Sequence, residues 1–113
     1  MKNYVKPKMR LNKEVLVVKN GKEDYEQFLL DLGIITPGNY DVVDRATKKM
    51  VVDKHVIGNL PLHLAARCHT ITSVAMSVPL EMRGRELTLD ELREVYRSVH
   101  TYRVEEVMGN DEV

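Results

Sequence analysis

Apolar positions first cluster between Glu14 and Val18, where Val15, Leu16, Val17 and Val18 follow one another before the turn pair Asn20-Gly21. Near-continuous apolarity over so short a run predicts a strand buried on both faces, as in a parallel sheet. From about Glu23 to Leu32 the period changes. Tyr25, Phe28, Leu29 and Leu32 fall at i, i+3, i+4 and i+7, the stripe of an amphipathic helix. Gly33 suits the left-handed residue that ends it. After the turn Thr36-Pro37-Gly38-Asn39, Tyr40–Val43 and Met50–Val52 read as two short strands around the polar loop Arg45–Lys49, a candidate hairpin. His55–Gly58 reads as another strand. Pro61 then opens a short helix over Leu62–Cys68, because proline is favoured in a helix's first turn. Ile71–Val78 is the clearest strand and stops at Pro79. The loop Leu80–Leu87 leads to a helix announced by the capping box Thr88-Leu89-Asp90-Glu91 and the staple Leu87/Leu92. Its buried stripe is Leu92, Val95, Tyr96 and Val99. Thr101–Met108 is the last predicted strand.

Strands alternating with helices of about ten residues imply crossover connections. The predicted fold class is therefore α/β: a small, mainly parallel sheet with flanking helices, Rossmann-like. With 113 residues the chain is expected to be one domain, 1–113, with a basic arm at 1–13 and an acidic tail at 109–113. The arm carries Lys2, Lys6, Lys8, Arg10 and Lys13 and no acid. Glu105, Glu106, Asp111 and Glu112 lie toward the other end. These are either solvated tails or an arm and a tail that meet between subunits.

Composition narrows the function. Seventeen Lys and Arg balance seventeen Asp and Glu, so the chain lacks the cationic excess needed to coat a long nucleic acid. Small anionic ligands need only two or three placed cations and stay open. One cysteine, Cys68, excludes an internal disulfide and a Cys-rich zinc site. No apolar run approaches the roughly 18 residues of a membrane span, and no secretory apolar core is evident. A cytoplasmic location is the expectation, with no membrane partner. One Phe and no Trp make a thin core, which self-association would extend.

In open parallel sheets, ligands bind beyond the carboxyl ends of the strands. Two loops lie there. Gly58-Asn59-Leu60-Pro61 joins a strand to a helix start, where free amides and the helix dipole attract anions and a glycine permits close approach. The competing reading is that Asn59 caps its own helix and Gly58 makes the turn. In the second loop, Arg83 and Arg85 flank Gly84, a phosphate or adenine clamp or else a brace paired with Glu81 and Glu86. His55, before a strand end, is a candidate proton donor or a packed side chain. His63 and His69 lack metal-ligand spacing, and Cys68 between Arg67 and His69 reads as a core thiol. No metal site and no catalytic residue is predicted.

Three blocks then carry a resemblance: His55 to Ala66 (HVIGNLPLHLAA), Val78 to Thr88 (VPLEMRGRELT) and, after Leu92, Thr101 to Val104 (TYRV). In this order and spacing they resemble a group of small CRISPR-associated proteins. That group includes the phage sponges of the first described type that counter Thoeris defence. The resemblance covers roughly residues 50–105 and implies one of two activities. The phage members sequester a cyclic ADP-ribose isomer made by a TIR-domain enzyme. The CRISPR-side members resemble metal-independent ring nucleases acting on cyclic oligoadenylate. The latter carry an Arg-His-Pro-Gly-Ala-like segment after the first strand. Here Lys19-Asn20-Gly21-Lys22-Glu23-Asp24 stands in its place, which favours sequestration.

The resemblance thus implies a binding protein, not an enzyme. It would be phage-encoded, act in a bacterial cytoplasm and work as a homodimer or larger homo-oligomer. Its ligand would be a cyclic ADP-ribose isomer or a cyclic oligonucleotide, with no other cofactor. The expected ligand-binding set is Asn59, Leu60, Met76, Arg83, Gly84, Arg85 and Arg103. In it Arg83 and Arg85 hold phosphates, Asn59 and the amides near Leu60 meet ribose or pyrophosphate, and Arg103 closes the pocket. An interaction domain without a small ligand is the third class.

Overall fold

Val15–Val18 is β1 of a computed structural model that describes residues 13–110. There follow α1 (Tyr25–Asp31), β2 (Asp41–Val43), α2 (Lys48–Val51), β3 (His55–Ile57) and α3 (Leu62–Ala65). β4 (Thr70–Met76), a 3-10 turn at Leu80–Met82, α4 (Leu89–Val95) and β5 (Tyr96–Tyr102) complete the order. The strands form one sheet, β2-β1-β3-β4-β5. β1 pairs in parallel with β2 and β3, β3 pairs in parallel with β4, and β5 runs antiparallel to β4. The architecture is the expected α/β sheet with flanking helices. No helix among the described residues is long and apolar enough to cross a membrane.

The apolar run of β1 explains its place near the middle of the sheet. Val17 joins Ile57 and Val74 on one face, under Tyr25, Phe28 and Leu29 of α1 and Leu92 and Val95 of α4. Leu16 and Val18 join Val56 and Ile71 on the other face, under Val51 of α2 and Ala65 and Cys68 beside α3. Alternate residues of one strand therefore feed two cores. α1 ends as its pattern requires. Gly33 adopts φ +74°, and its N–H donates to the Leu30 carbonyl while Ile34 N–H donates to that of Leu29, both at 3.0 Å. This is a Schellman closure.

Three elements differ from the sequence reading. Met50–Val52 is not the second strand of a hairpin, because Lys48–Val51 forms the one-turn helix α2. β2 is parallel to β1, so the chain must cross over to reach β3. α2 makes that crossing while burying Val51 completely. The last helix stops at Val95, and Tyr96 begins β5. Tyr96 and Val99 keep their place against the first core by pairing with Met76 and Val74. The run of aromatic and β-branched residues thus covers the open edge of β4 instead of extending a helix. Residues 103–108, expected to continue the last strand from Thr101, do not join the sheet.

The basic arm lies outside the described residues except Lys13, whose ammonium pairs with Asp53 at 2.9 Å. Of the acidic positions, Asp111 and Glu112 lie outside them, and Glu105 and Glu106 are exposed.

Candidate functional site

The carboxyl ends of β1 and β4 meet in a stapled pair of loops. After β1, Asn20 and Gly21 take positive φ (52° and 79°), as the turn signal requires. Asn20 N–H donates to the Asp44 carbonyl at 2.8 Å, and Gly21 N–H to the Asp44 carboxylate at 2.7 Å. The turn carries Lys22 over the Tyr25 ring, its ammonium 5.4 Å from the ring centre. Burial lowers the Lys22 pKa. Two bonds then tie this loop to the one after β4. Glu23 N–H donates to the Glu86 carboxylate at 2.7 Å, and Leu89 N–H to that of Asp24 at 3.0 Å.

In the loop after β4, the 3-10 turn at Leu80–Met82 and Gly84 at φ +80° reverse the chain. Arg83 is exposed, and its Nε donates to the Val78 carbonyl at 3.0 Å. Arg85 forks onto Glu91, with its two terminal nitrogens 2.9 and 2.6 Å from the carboxylate oxygens. Glu91 also closes the capping box, at the third position of α4. Its carboxylate accepts from Thr88 N–H at 3.0 Å, and its own N–H donates to the Thr88 hydroxyl at 3.2 Å. The Arg85 bonds, then the Thr88 amide, hold the Glu91 pKa down to about 2. The brace foreseen to Glu81 or Glu86 side chains is therefore made to Glu91.

These loops enclose a cleft of about 380 Å³, lined by the cations Lys22, Arg83 and Arg85, by Gly84, and by Met76, Val78, Met82 and Leu87. A cleft lined by both cations and apolar side chains can hold a compact anion attached to a flat ring. Of the expected set, the fold brings together Met76, Arg83, Gly84 and Arg85. It adds Lys22, from the Lys19–Asp24 segment that stands out in the sequence only for lacking arginine and histidine. The signal was present: Lys22 follows a turn at the carboxyl end of a predicted parallel strand.

The other expected residues lie elsewhere. Asn59 accepts from the Ser73 hydroxyl at 2.9 Å through its side chain, and from Asn20 Nδ2 at 3.1 Å through its carbonyl. Ser73 shares the Ile71 face of β4, opposite Val74 and Met76. Asn59 is thereby on the far side of the sheet from the cleft, and Leu60 packs against the second core. α3 is a single turn with Pro61 at its N-cap, so little dipole collects there and Asn59 makes no cap bond. Gly58 is buried at φ +143°, and a Cβ on it would sit 2.7 Å from the Val18 carbonyl oxygen. Its freedom serves the approach of β3 to β1, not that of a ligand. Arg103 follows Tyr102, which pairs with Ile71 at the amino end of β4. It is exposed at the opposite end of the sheet and does not close this cleft.

His55 starts β3 and is buried. Its ring nitrogens are hydrogen-bonded to the Thr70 hydroxyl at 2.6 Å and the Thr72 hydroxyl at 3.0 Å. Thr72 in turn reaches the Thr101 hydroxyl at 2.7 Å. Burial, with a smaller contribution from His69, lowers the His55 pKa to about 4. It is a neutral packed residue remote from the cleft. Cys68 is buried, donates to the Ala65 carbonyl at 2.9 Å, and has its thiol pKa raised by burial. Among the described residues no group of three His, Cys, Asp or Glu side chains is placed to hold a metal.

A family model described as "Putative CRISPR-associated protein (Cas_VVA1548)" matches residues 39–105. Those residues span β2 to just beyond β5 and include the arginine loop. No curated protein and no solved structure matches the chain significantly.

Proposed function

The chain belongs to the Cas_VVA1548 family, and on that premise we propose that it binds a small cyclic nucleotide signal and holds it intact. The ligand proposed is a cyclic ADP-ribose isomer. The observation that carries this reading is the cleft itself: Lys22, Arg83 and Arg85 line it together with Met76 and Met82 at the carboxyl end of the sheet. Its volume falls in the usual range for small-molecule sites, about 300–1,000 Å³. Phosphates would meet the cations, and a base would lie on Met76 and Met82. The role is capture of a defence signal in a bacterial cytoplasm by a phage-encoded protein, acting as a homodimer or larger. Leu62, Val107 and Met108, 76%, 91% and 88% exposed, line one groove and favour self-association.

A second reading, cleavage of cyclic oligoadenylate, is compatible with a family described as CRISPR-associated. In-line attack by a ribose 2′-hydroxyl needs chiefly positioning and charge stabilisation, which the same cations offer. Holding is preferred because the histidine considered as a proton donor, His55, is packed between threonines away from the cleft.

Calorimetry with the cyclic ADP-ribose isomer and with cyclic tetra-adenylate, in EDTA, tests both. After binding, the protein is heat-denatured and the released nucleotide identified by mass spectrometry. Recovery of the intact cyclic ADP-ribose isomer is expected. A linear product from either ligand would overturn holding in favour of cleavage, and no binding of either would remove both readings.

A further inference from the structure

We infer that Lys22 and Arg83 are the cations that contact the anionic groups of a bound phosphate ligand, and that Arg85 is a positioning residue neutralised by Glu91. This deepens the reading above and rests on it for the location of the ligand.

The argument is a donor inventory. A guanidinium offers five N–H groups and an ammonium three. Three of the five Arg85 N–H groups are engaged, two with the Glu91 carboxylate and one with the Glu86 carbonyl at 3.2 Å, against one of five on Arg83. A bidentate pair of this kind is among the stronger hydrogen-bonded arrangements and cancels the local charge. Glu91 is itself held, because the same carboxylate accepts from Thr88 N–H. Freeing Arg85 for a ligand would break that arrangement and expose an anion beside the site.

Arg83 differs. Only its Nε is engaged, by the Val78 carbonyl, and this sets the plane of the group. Its terminal nitrogens make no hydrogen bond among the described residues. Lys22 makes no ion pair among the described residues, although it is partly buried over Tyr25. A partly desolvated ammonium that faces a ring and no carboxylate gains from the arrival of an anion. The lowered pKa of Lys22 comes from that same burial. The two groups stand on different loops, and the Glu23–Glu86 and Asp24–Leu89 bonds hold those loops together before any ligand enters. Two preorganised unpaired cations suit two linked anionic groups, such as a pyrophosphate or neighbouring phosphates.

The test is an NMR titration of the full chain with inorganic pyrophosphate, following the Lys22 and Gly84 amides. Lys22→Met keeps the stem's packing on Tyr25 and removes the charge. It and Arg83→Ala should each weaken binding about ten-fold or more, since a charged hydrogen bond contributes roughly 1.5–3 kcal/mol. Glu91→Gln keeps the capping box, which accepts glutamine, but releases Arg85 as a third cation. It should bind pyrophosphate more tightly than the wild type. Arg85→Ala should bind more weakly because Glu91 is left unpaired, and adding Glu91→Gln should restore wild-type affinity. The inference is overturned if the wild type shows no saturable shift or Lys22→Met binds normally. It is equally overturned if the Arg85→Ala loss persists in the double variant. Saturable pyrophosphate binding without binding of either cyclic nucleotide would remove the proposed function and leave this assignment standing.

Discussion

Gly58→Ala tests the packing that places both loops. Gly58 lies at φ +143°, a region that side chains disfavour, and an added Cβ would approach the Val18 carbonyl oxygen to 2.7 Å and the Val18 Cβ to 3.3 Å. The carbonyl belongs to β1, whose neighbours β2 and β3 leave it little room to move. Backbone strain of this kind costs roughly 1–3 kcal/mol, and forcing packed elements apart adds about 1–3 kcal/mol. A total of about 4 kcal/mol is a large part of the 5–15 kcal/mol that holds a typical domain. It corresponds to a fall of about 15–20 °C in Tm at this chain length. Gly33→Ala is the control. Gly33 also has positive φ (+74°), but nothing lies within 4 Å of its added Cβ. Only the left-handed cost of about 1–2 kcal/mol remains there. Urea and thermal unfolding by circular dichroism, read on both variants, give the difference. Similar small losses in the two variants would refute the close approach of β3 to β1.

Thr88→Ala removes the hydroxyl that accepts from Glu91 N–H. It should cost about 1 kcal/mol in urea unfolding, and an unchanged midpoint would show that the cap contributes nothing. His55 should make stability depend on pH. Its folded pKa, about 4, lies below the ordinary 6.5, so the unfolded chain takes up the proton more readily. The stabilisation is complete above about pH 6.5 and is lost as pH falls toward about 4. His55→Gln should flatten that part of the unfolding profile, and an unchanged slope would place the titration in other groups.

What could be read from the sequence was whatever local pattern decides. The β1 run, the α1 stripe ending at Gly33 and the capping box at Thr88 each contain their own evidence. The misread elements depend on distant partners. Met50–Val52 is too short for its period to separate strand from helix, and only the parallel pairing of β2 with β1 excludes a hairpin. Tyr96 and Val99 continue a helical stripe from Leu92 and Val95 and also fit a strand. The open edge of β4 decides between them. Arg103, expected from the Thr101–Val104 block to close the pocket, follows Tyr102, whose pairing with Ile71 carries it to the other end of the sheet, a placement only the β4–β5 register decides. The arginine loop was visible because it sits between a clear strand and a clear cap. Lys22 was hidden because its neighbours in the cleft are some sixty residues away, as the bonds to Glu86 and Leu89 show. The Arg85–Glu91 fork was hidden because Glu91 already had a local role.

Titration of the cyclic ADP-ribose isomer into the wild type, Arg83→Ala, and the surface controls Lys48→Ala and Lys49→Ala tests the central claim most directly. Each change removes one positive charge, so diffuse attraction falls alike in all three. Lys48 and Lys49 are exposed on α2, which packs on the opposite face of the sheet from the Met76 side chain. If the cleft holds the ligand, Arg83→Ala loses about ten- to a hundred-fold in affinity, the equivalent of roughly 1.5–3 kcal/mol for a charge-assisted contact. The lysine variants then bind as the wild type does. Equal losses in all three variants, or full affinity in Arg83→Ala, would contradict the account.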